Sequence, residues 1–304
     1  MPARFSANPS LIEHRALAVG VYHGLEDHNS DGSTSAATGY HRAKARQIPL
    51  GDRTPDLAAR IHAIDDGLET IAREVIVHHL DISRPENASF LASPDAREQH
   101  QTEWHQWGIL THTRRFLHHY EADIPRYLSS WGLESRVNAV LTQPLNGAAR
   151  TDLLRAAILL HDIGKFSARR QGRGRFHFAQ HEEQSGNIIR SELDLPGLGF
   201  TPDQAEYIAR AAQDHFVLGI LRKAARERGE YDEEFPHSGL FRNLSLEIKA
   251  SHPDDFVEIG VLFLGDSLAK VDPASGPERA VSQYNVNIAV AREYLRIVLD
   301  TASL

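Results

Sequence analysis

From Pro55 to Leu80 apolar residues return every three or four positions, at Leu57, Ile61, Ile64, Leu68, Ile71 and Val75. That spacing lines one face of a helix, so the segment reads as amphipathic and packed against a core. Arg84-Pro85-Glu86-Asn87 breaks the pattern, and helical character resumes from Glu103 to Tyr127. Thr151 to Leu160 reads as a short buried helix, ending in the unbroken apolar run Ala156-Ala157-Ile158-Leu159-Leu160. A basic, glycine-containing loop follows from Phe166 to Arg175, and then a helix is expected over His181 to Leu193. Thr201-Pro202-Asp203-Gln204 is a helix start, with threonine at the N-cap, proline at the first helical position and glutamine three residues after the cap. The helix it opens, over 201–219, places Ala205, Ile208, Ala212, His215 and Phe216 on one face. Asp255 to Val271 is a strongly apolar helix interrupted by Asp266, and Val281 to Leu299 adds a last amphipathic helix. Alternating strand patterns are scarce and no internal repeat is visible, so the expected architecture is all-α.

Residues 1 to 55 carry no comparable pattern, and the polar, small residues of 26–40 read as a mobile loop. The 304 residues are enough to bury a full core. Lys and Arg number 33 against 41 Asp and Glu, a net charge of −8. That excludes the global basic field of a dedicated nucleic-acid surface, though not a small phosphorylated substrate. Cysteine is absent, which excludes disulfides and thiolate metal sites and leaves imidazole and carboxylate as metal ligands. Such a set suits Mn, Fe, Ni, Co, Zn or, with more oxygen, Mg. There is no long apolar run, and Met1-Pro2-Ala3-Arg4 leads into polar sequence rather than a signal peptide. The expectation is a cytoplasmic protein without membrane contact.

Chemistry concentrates at His161-Asp162-Ile163-Gly164-Lys165, where an apolar helix ends in two metal ligands. Buried imidazole beside buried carboxylate demands hydrogen bonds, charge pairing or a metal. His112, His181, His215 and Asp266 also lie on or beside apolar helical stretches. Four histidines and two aspartates on five helical segments can converge on one interior point. His105, His112 and His119 are spaced seven apart, so periodicity does not choose among them. The pairs His78-His79 and His118-His119 read as solvated helix positions.

The order His, His-Asp, His, His, Asp resembles the HD superfamily of metal-dependent phosphohydrolases, and His161-Asp162-Ile163-Gly164-Lys165 is similar to its HDIG subgroup. The motif from Leu159 to Gly186, including Phe176-His177-Phe178-Ala179-Gln180-His181, resembles the HD domains attached to some tRNA nucleotidyltransferases. Gln180 stands where those domains usually have glycine, and no nucleotidyltransferase signature precedes it. The absence of a Gly-Tyr-Pro segment gives no support to cyclic-di-GMP hydrolysis. The resemblance covers roughly residues 105 to 270 and implies an HD helical bundle over 101–304, after a partly helical extension of residues 1–100.

Carried over residue by residue, the resemblance implies two divalent metal ions. His112, whose context His112-Thr113-Arg114-Arg115-Phe116 resembles the family's first-histidine segment, would hold one with His161, Asp162 and Asp266. Asp162 would bridge to the second, completed by His181 and His215. The implied reaction is cleavage of a phosphate mono- or diester, with a nucleotide among the candidates, by a metal-bridging hydroxide. Lys165 would point at a phosphate oxygen, and Arg169, Arg170, Arg173 and Arg175 would add contacts to the substrate. Glu182, next to His181, is open to a role beside the metal ligands or as an acid/base group, and equally to a plain surface role. Inositol oxygenases and phosphonate-cleaving oxygenases are similar in all six ligands and in the lysine, which makes a mixed-valent di-iron oxygenase the alternative. A non-catalytic ligand sensor is the second alternative, and the complete ligand set speaks against it.

Overall fold

A computed structural model describes residues 57–172, 174–230 and 234–300. The loop expected over 26–40, and Arg173, lie outside the described residues.

Helix α1 (Leu57–His79) buries Ile61, Ile64, Leu68, Ile71, Ala72, Val75 and Ile76, the stripe its sequence announces. A short α2 (Pro85–Ala92) opens on proline at its first position, where the missing N–H is no loss. Helix α3 (Ile109–Ala122) begins later than the pattern suggests, because its cap comes from elsewhere in the chain. The Asp95 carboxylate accepts from Thr111 N at 2.8 Å and Thr111 Oγ1 at 2.6 Å, satisfying first-turn donors. Gly108 makes that approach feasible, since a Cβ there would lie 1.8 Å from the Asp95 carbonyl oxygen. His105 is therefore off the helix that carries His112.

Helices α4 (Ile124–Ser130) and α5 (Glu134–Leu141) lead to a two-residue hairpin, β1 (Pro144–Leu145) with β2 (Ala148–Ala149). Helix α6 (Arg150–Leu160) follows, then a single turn α7 (Lys165–Ala168). The basic loop folds as a second antiparallel hairpin, β3 (Arg170–Gly172) with β4 (Arg175–His177), Arg170 opposite His177. Next come α8 (His181–Ser191) and α9 (Pro202–Asp214), the latter closed by the expected capping box between Thr201 and Gln204. The 201–219 helix of the sequence pattern breaks at His215 and Phe216, where the backbone leaves the helical region at Phe216 (φ −110°, ψ 12°), and α10 (Val217–Glu227) starts just after. The chain ends with α11 (Gly239–Ser251), α12 (Phe256–Ala269) and α13 (Glu278–Asp300). Among the described residues the fold is all-α apart from the two small hairpins.

Every residue from Val257 to Ala269 is buried, which explains why α12 lacks a polar face. It packs on α3, α10 and α13, while α6 is held among α1, α3 and α9. Helix α8 lies along α9 and against α7. All described residues fall in one compact unit, and α1, in the segment assigned to the extension, packs on α6 and α7. No helix among them is long and apolar enough to cross a membrane.

Candidate metal centre

His161 caps the C-terminal end of α6, His215 that of α9, and His181 opens α8. Each turns its Nδ1 to the carbonyl three residues back: Ile158 at 2.7 Å, Ala212 at 2.6 Å and Phe178 at 2.8 Å. A carbonyl only accepts, so Nδ1 carries a proton, and in the neutral ring Nε2 presents a lone pair. Carbonyls of the last helical turn, Ile158 and Ala212, and the Phe178 carbonyl just before α8 thus fix ring orientation and, in the neutral rings, the tautomer.

Those lone pairs meet at Asp162. Its Oδ2 lies 3.2 Å from His161 Nε2 and 3.6 Å from His112 Nε2. Its Oδ1 lies 3.2 Å from His181 Nε2 and 3.9 Å from His215 Nε2. Asp266, in the middle of α12, places Oδ1 at 3.0 Å from His112 Nε2 and 3.9 Å from His161 Nε2. Donor atoms of His112, His161 and Asp162 lie within 4.8 Å of one another, as do those of Asp162, His181 and His215. The structure brings all six candidate ligands together.

Burial makes the assembly expensive unless something positive sits among the donors. His161 Nε2 and Asp162 Oδ1 are buried without a hydrogen-bond partner. Burial alone would raise the Asp162 pKa, but the neighbouring His161 and Lys165 hold it well below the usual carboxylate range. For Asp266 burial is likewise outweighed, by Lys270 and His112, and its pKa also lies well below the usual range. Burial, with His161 beside it, drives His215 well below the ordinary imidazole value, and burial also lowers His112. Ionised Asp162 and Asp266, with His112 and His215 whose burial disfavours the charged ring, are in the protonation states a divalent cation binds. The donor set, two aspartates and four histidines without sulfur, fits such an ion, and a metal can be held here.

The glycine after Ile163 has a structural task. A Cβ on Gly164 would lie 2.1 Å from the His181 carbonyl oxygen and 2.5 Å from Ser185 N, so α8 approaches this closely only over glycine. Ser185 Oγ ties the junction, accepting from Gly164 N at 2.9 Å and lying 2.6 Å from His161 O and 2.9 Å from His181 O. Gln180, just before His181, holds φ at 61° in the left-handed region that glycine occupies without strain.

Lys165 is buried, with Nζ 2.7 Å from Asp162 Oδ2 and 3.0 Å from His100 Nε2. His100 donates Nδ1–H to the Trp107 carbonyl at 3.0 Å, so its Nε2 accepts from the lysine. His105 stacks on His100 with ring centroids 3.8 Å apart and meets His112 edge-on. Burial pushes both His100 and His105 well below the ordinary imidazole value. Sequence pattern gave neither residue a role beyond the heptad ambiguity at 105, because both lie in irregular chain.

A cavity of about 400 Å³ opens over His181, His215 and Asp266 and is also lined by Lys165 and His105. Its other basic residues are Arg222, Lys223 and Arg226 from α10, and Lys270. Lys270 ion-pairs with Asp266 one turn before it, as Lys165 does with Asp162. A lysine one turn beyond each buried aspartate was the signal available for Lys270.

The arginines singled out in the basic loop sit elsewhere. Arg169 is buried, donates to Glu86 O, Asn87 Oδ1 and Gln99 Oε1, and lies between the rings of Phe90 and Phe176. It fastens the hairpin to α2 rather than facing the cavity. Exposed Arg170 donates to the carbonyls of Ser167 and Arg169. Arg175 pairs with Glu103 and borders a separate cavity of about 190 Å³ whose lining includes none of the six candidate ligands. Glu182 lies 3.2 Å from His181 Nδ1. His119 is committed to Asp123 at 2.7 Å, and His79 to Glu192 at 3.0 Å.

Residues 130–245 match the family model of the HD domain. The matched span contains His161, Asp162, His181 and His215, whereas His112, Asp266, His100 and Lys270 join them from outside it. No curated protein matches the chain.

Proposed function

We propose, from the match of residues 130–245 to the family model of the HD domain, that the chain is a metal-dependent phosphohydrolase cleaving a phosphate mono- or diester. One observation carries the reading. The two oxygens of Asp162 serve different histidine pairs, Oδ2 facing His161 and His112 while Oδ1 faces His181 and His215. A carboxylate shared in this way suits two cations held side by side, with Asp266 completing the His112 and His161 half. Bound divalent cations supply a water that ionises near neutral pH and positive charge for phosphoryl oxygens.

The chain's own groups do the rest. An ammonium has three protons; Lys165 spends one on Asp162 and one on His100, which leaves the third for an oxygen of the substrate in the cavity it lines. His100, held by the Trp107 carbonyl, fixes the direction of that donor. Lys270 neutralises Asp266 from the cavity side. The apolar packing of α12 and α6 keeps bulk water from the ligands and strengthens every charge interaction there.

The test uses the full chain purified without chelators, analysed for metal, and assayed with p-nitrophenyl phosphate and bis-p-nitrophenyl phosphate. Release of nitrophenolate that is lost in a His161→Ala, Asp162→Ala double variant of retained helicity supports the reading, and the preferred ester separates phosphatase from phosphodiesterase. Oxygen uptake by iron-loaded protein without ester cleavage would overturn it in favour of an oxygenase.

A further inference from the structure

The helices that carry His112, His161, His215 and Asp266 are tied together a second time, away from the candidate ligands. Eight residues before Asp266 on α12 stands Glu258, and eight before His215 on α9 stands Tyr207, whose hydroxyl donates to Glu258 Oε1 at 2.9 Å. Arg150 is the first residue of α6, the helix that His161 caps. It donates Nη1–H to the same Glu258 oxygen at 3.3 Å and to Asp254 O at 2.8 Å. On α3, eight residues past His112, the Tyr120 hydroxyl donates to Thr151 O in the first turn of α6 at 3.0 Å. Eight helical residues span about 12 Å, so on α3, α9 and α12 this polar layer lies at one depth from the ligands.

Such a layer is a costly way to hold helices together. Glu258 is wholly buried, and its Oε2 has no hydrogen-bond partner among the described residues. Burial pushes its carboxyl pKa up, against the pull of Tyr207 and Arg150. Apolar side chains of similar volume often stabilise a fold as well as a buried charged network does, or better. What hydrogen bonds add is direction. A hydroxyl reaches a carboxylate at about 3 Å in only one register of α9 against α12, whereas two apolar surfaces can slide with little loss.

We infer that Glu258, with Tyr207 and Arg150, is a positioning joint that fixes the register of α9 and α6 against α12 and so sets where His215 and His161 stand relative to Asp266. The inference rests on the reading of these residues as metal ligands and deepens it by naming what holds them in place; it does not require that the bound metal cleave an ester.

Helix α12 is the reference for the other two. Its Gly260 lets α13 approach so closely that a Cβ there would lie 2.7 Å from Leu295 Cδ2, and the Tyr294 hydroxyl of α13 donates to Phe256 O at 2.9 Å. Helix α9 touches α12 as well. His215 serves the Oδ1 side of Asp162, at 3.9 Å, while Asp266 stands with His112 and His161 on the other side. A slip of α9 along α12 therefore changes the separation between the two sides of the donor set, and no ligand has to be altered for metal binding to weaken.

The test uses the full chain as Tyr207→Phe, as a Tyr207→Phe, Glu258→Met double variant, and as Glu258→Gln, which keeps an acceptor for Tyr207. Three quantities are read: thermal unfolding without metal, manganese affinity by competition with a chelating dye, and the visible spectrum of the cobalt form. The metal measurements are made well below each melting temperature. The apolar double variant should melt no lower than the wild type, yet bind manganese about three- to thirtyfold more weakly and alter the cobalt spectrum, which reports ligand geometry. Tyr207→Phe should shift both metal readouts the same way by less, and Glu258→Gln should stay within about twofold of the wild type. A role in packing alone would lower the melting temperature and leave the metal readouts of the folded protein where they are. Wild-type affinity and spectrum in the Tyr207→Phe and double variants, or a loss in Glu258→Gln as large as in the double variant, overturns the inference. Should the double variant not fold, Tyr207→Phe decides alone. A wild type that holds metal but cleaves neither aryl ester refutes the hydrolase reading and leaves the joint standing, whereas one that takes up neither manganese nor cobalt overturns both.

Discussion

Replacing Gly164 by alanine sets one methyl group against the joint on which half of the candidate centre depends. The added Cβ would lie 2.1 Å from His181 O, 2.5 Å from Ser185 N and 2.8 Å from Ser185 Oγ. The first two are backbone atoms of α8, so no side-chain rotation relieves the contact, and α8 must retreat by about 1 Å to recover ordinary separations. His181 moves with α8 and leaves Asp162 Oδ1, from which its Nε2 is 3.2 Å away. His112, His161 and Asp266 stand on α3, α6 and α12 and stay in place. Overpacking of this kind costs about 1–3 kcal/mol, at about 2–4 °C of Tm per kcal/mol for a chain of this size. A reacting group displaced by about 1 Å loses on the order of 100-fold in rate. The expected variant is folded, melts a few degrees lower, keeps the His112–His161–Asp266 half of its metal and loses the His181–His215 half, with activity down accordingly. Elemental analysis, thermal unfolding with and without added manganese, and ester hydrolysis read the three quantities. A variant with the wild-type metal content and near wild-type turnover would show that the approach of α8 over Gly164 does not position His181.

Removing the His100 ring leaves the Lys165 ammonium with a lost acceptor, a change worth about 1–3 kcal/mol in a buried site. His100→Ala should therefore lower kcat/KM by about ten- to a hundredfold at unchanged metal content, while His100→Gln, which retains an acceptor, should recover most of the loss; equal activity of all three forms would sever His100 from Lys165. Gln180→Gly should raise stability by about 1 kcal/mol, read as a higher denaturation midpoint, since the left-handed φ of 61° strains a side chain and not a glycine; an unchanged or lower midpoint would count against strain there. His100 and His105 are held neutral by burial, with folded pKa values well below the unfolded value of about 6.5. Below about pH 6.5 the unfolded chain takes up protons that the folded chain does not, so stability declines as pH falls, by up to about 1.4 kcal/mol per unit for each ring. Urea unfolding between neutral and mildly acidic pH should show that decline, and a His100→Gln, His105→Gln variant should make it shallower, the remainder coming from buried His112 and His215.

What the sequence alone determined is what local spacing encodes. The stripe from Leu57 to Val75 is the buried face of α1, the Thr201 capping box closes α9, and the apolar run containing Asp266 is the fully buried α12. The candidate ligands stood out because a histidine or aspartate at the end or in the middle of an apolar helix is out of place unless something binds it, but spacing left His112 level with His105 and His119, and only the resemblance to the HD family chose it. Tertiary structure decided everything that depends on residues far apart in the chain. Asp95 caps α3 from across a loop and leaves His105 off the helix, which no periodicity discloses. The charged lining was misplaced for a related reason. Arg169 looked like a substrate contact because it follows the motif, yet two aromatic rings and three acceptors hold it inside. Arg222, Lys223 and Arg226, to which the sequence pattern assigned nothing, line the cavity because a new helix, α10, starts after the break at His215 and Phe216. A side chain's type is written in the sequence, but the direction it faces is set by how helices pack, and packing depends on contacts between segments that local pattern does not contain.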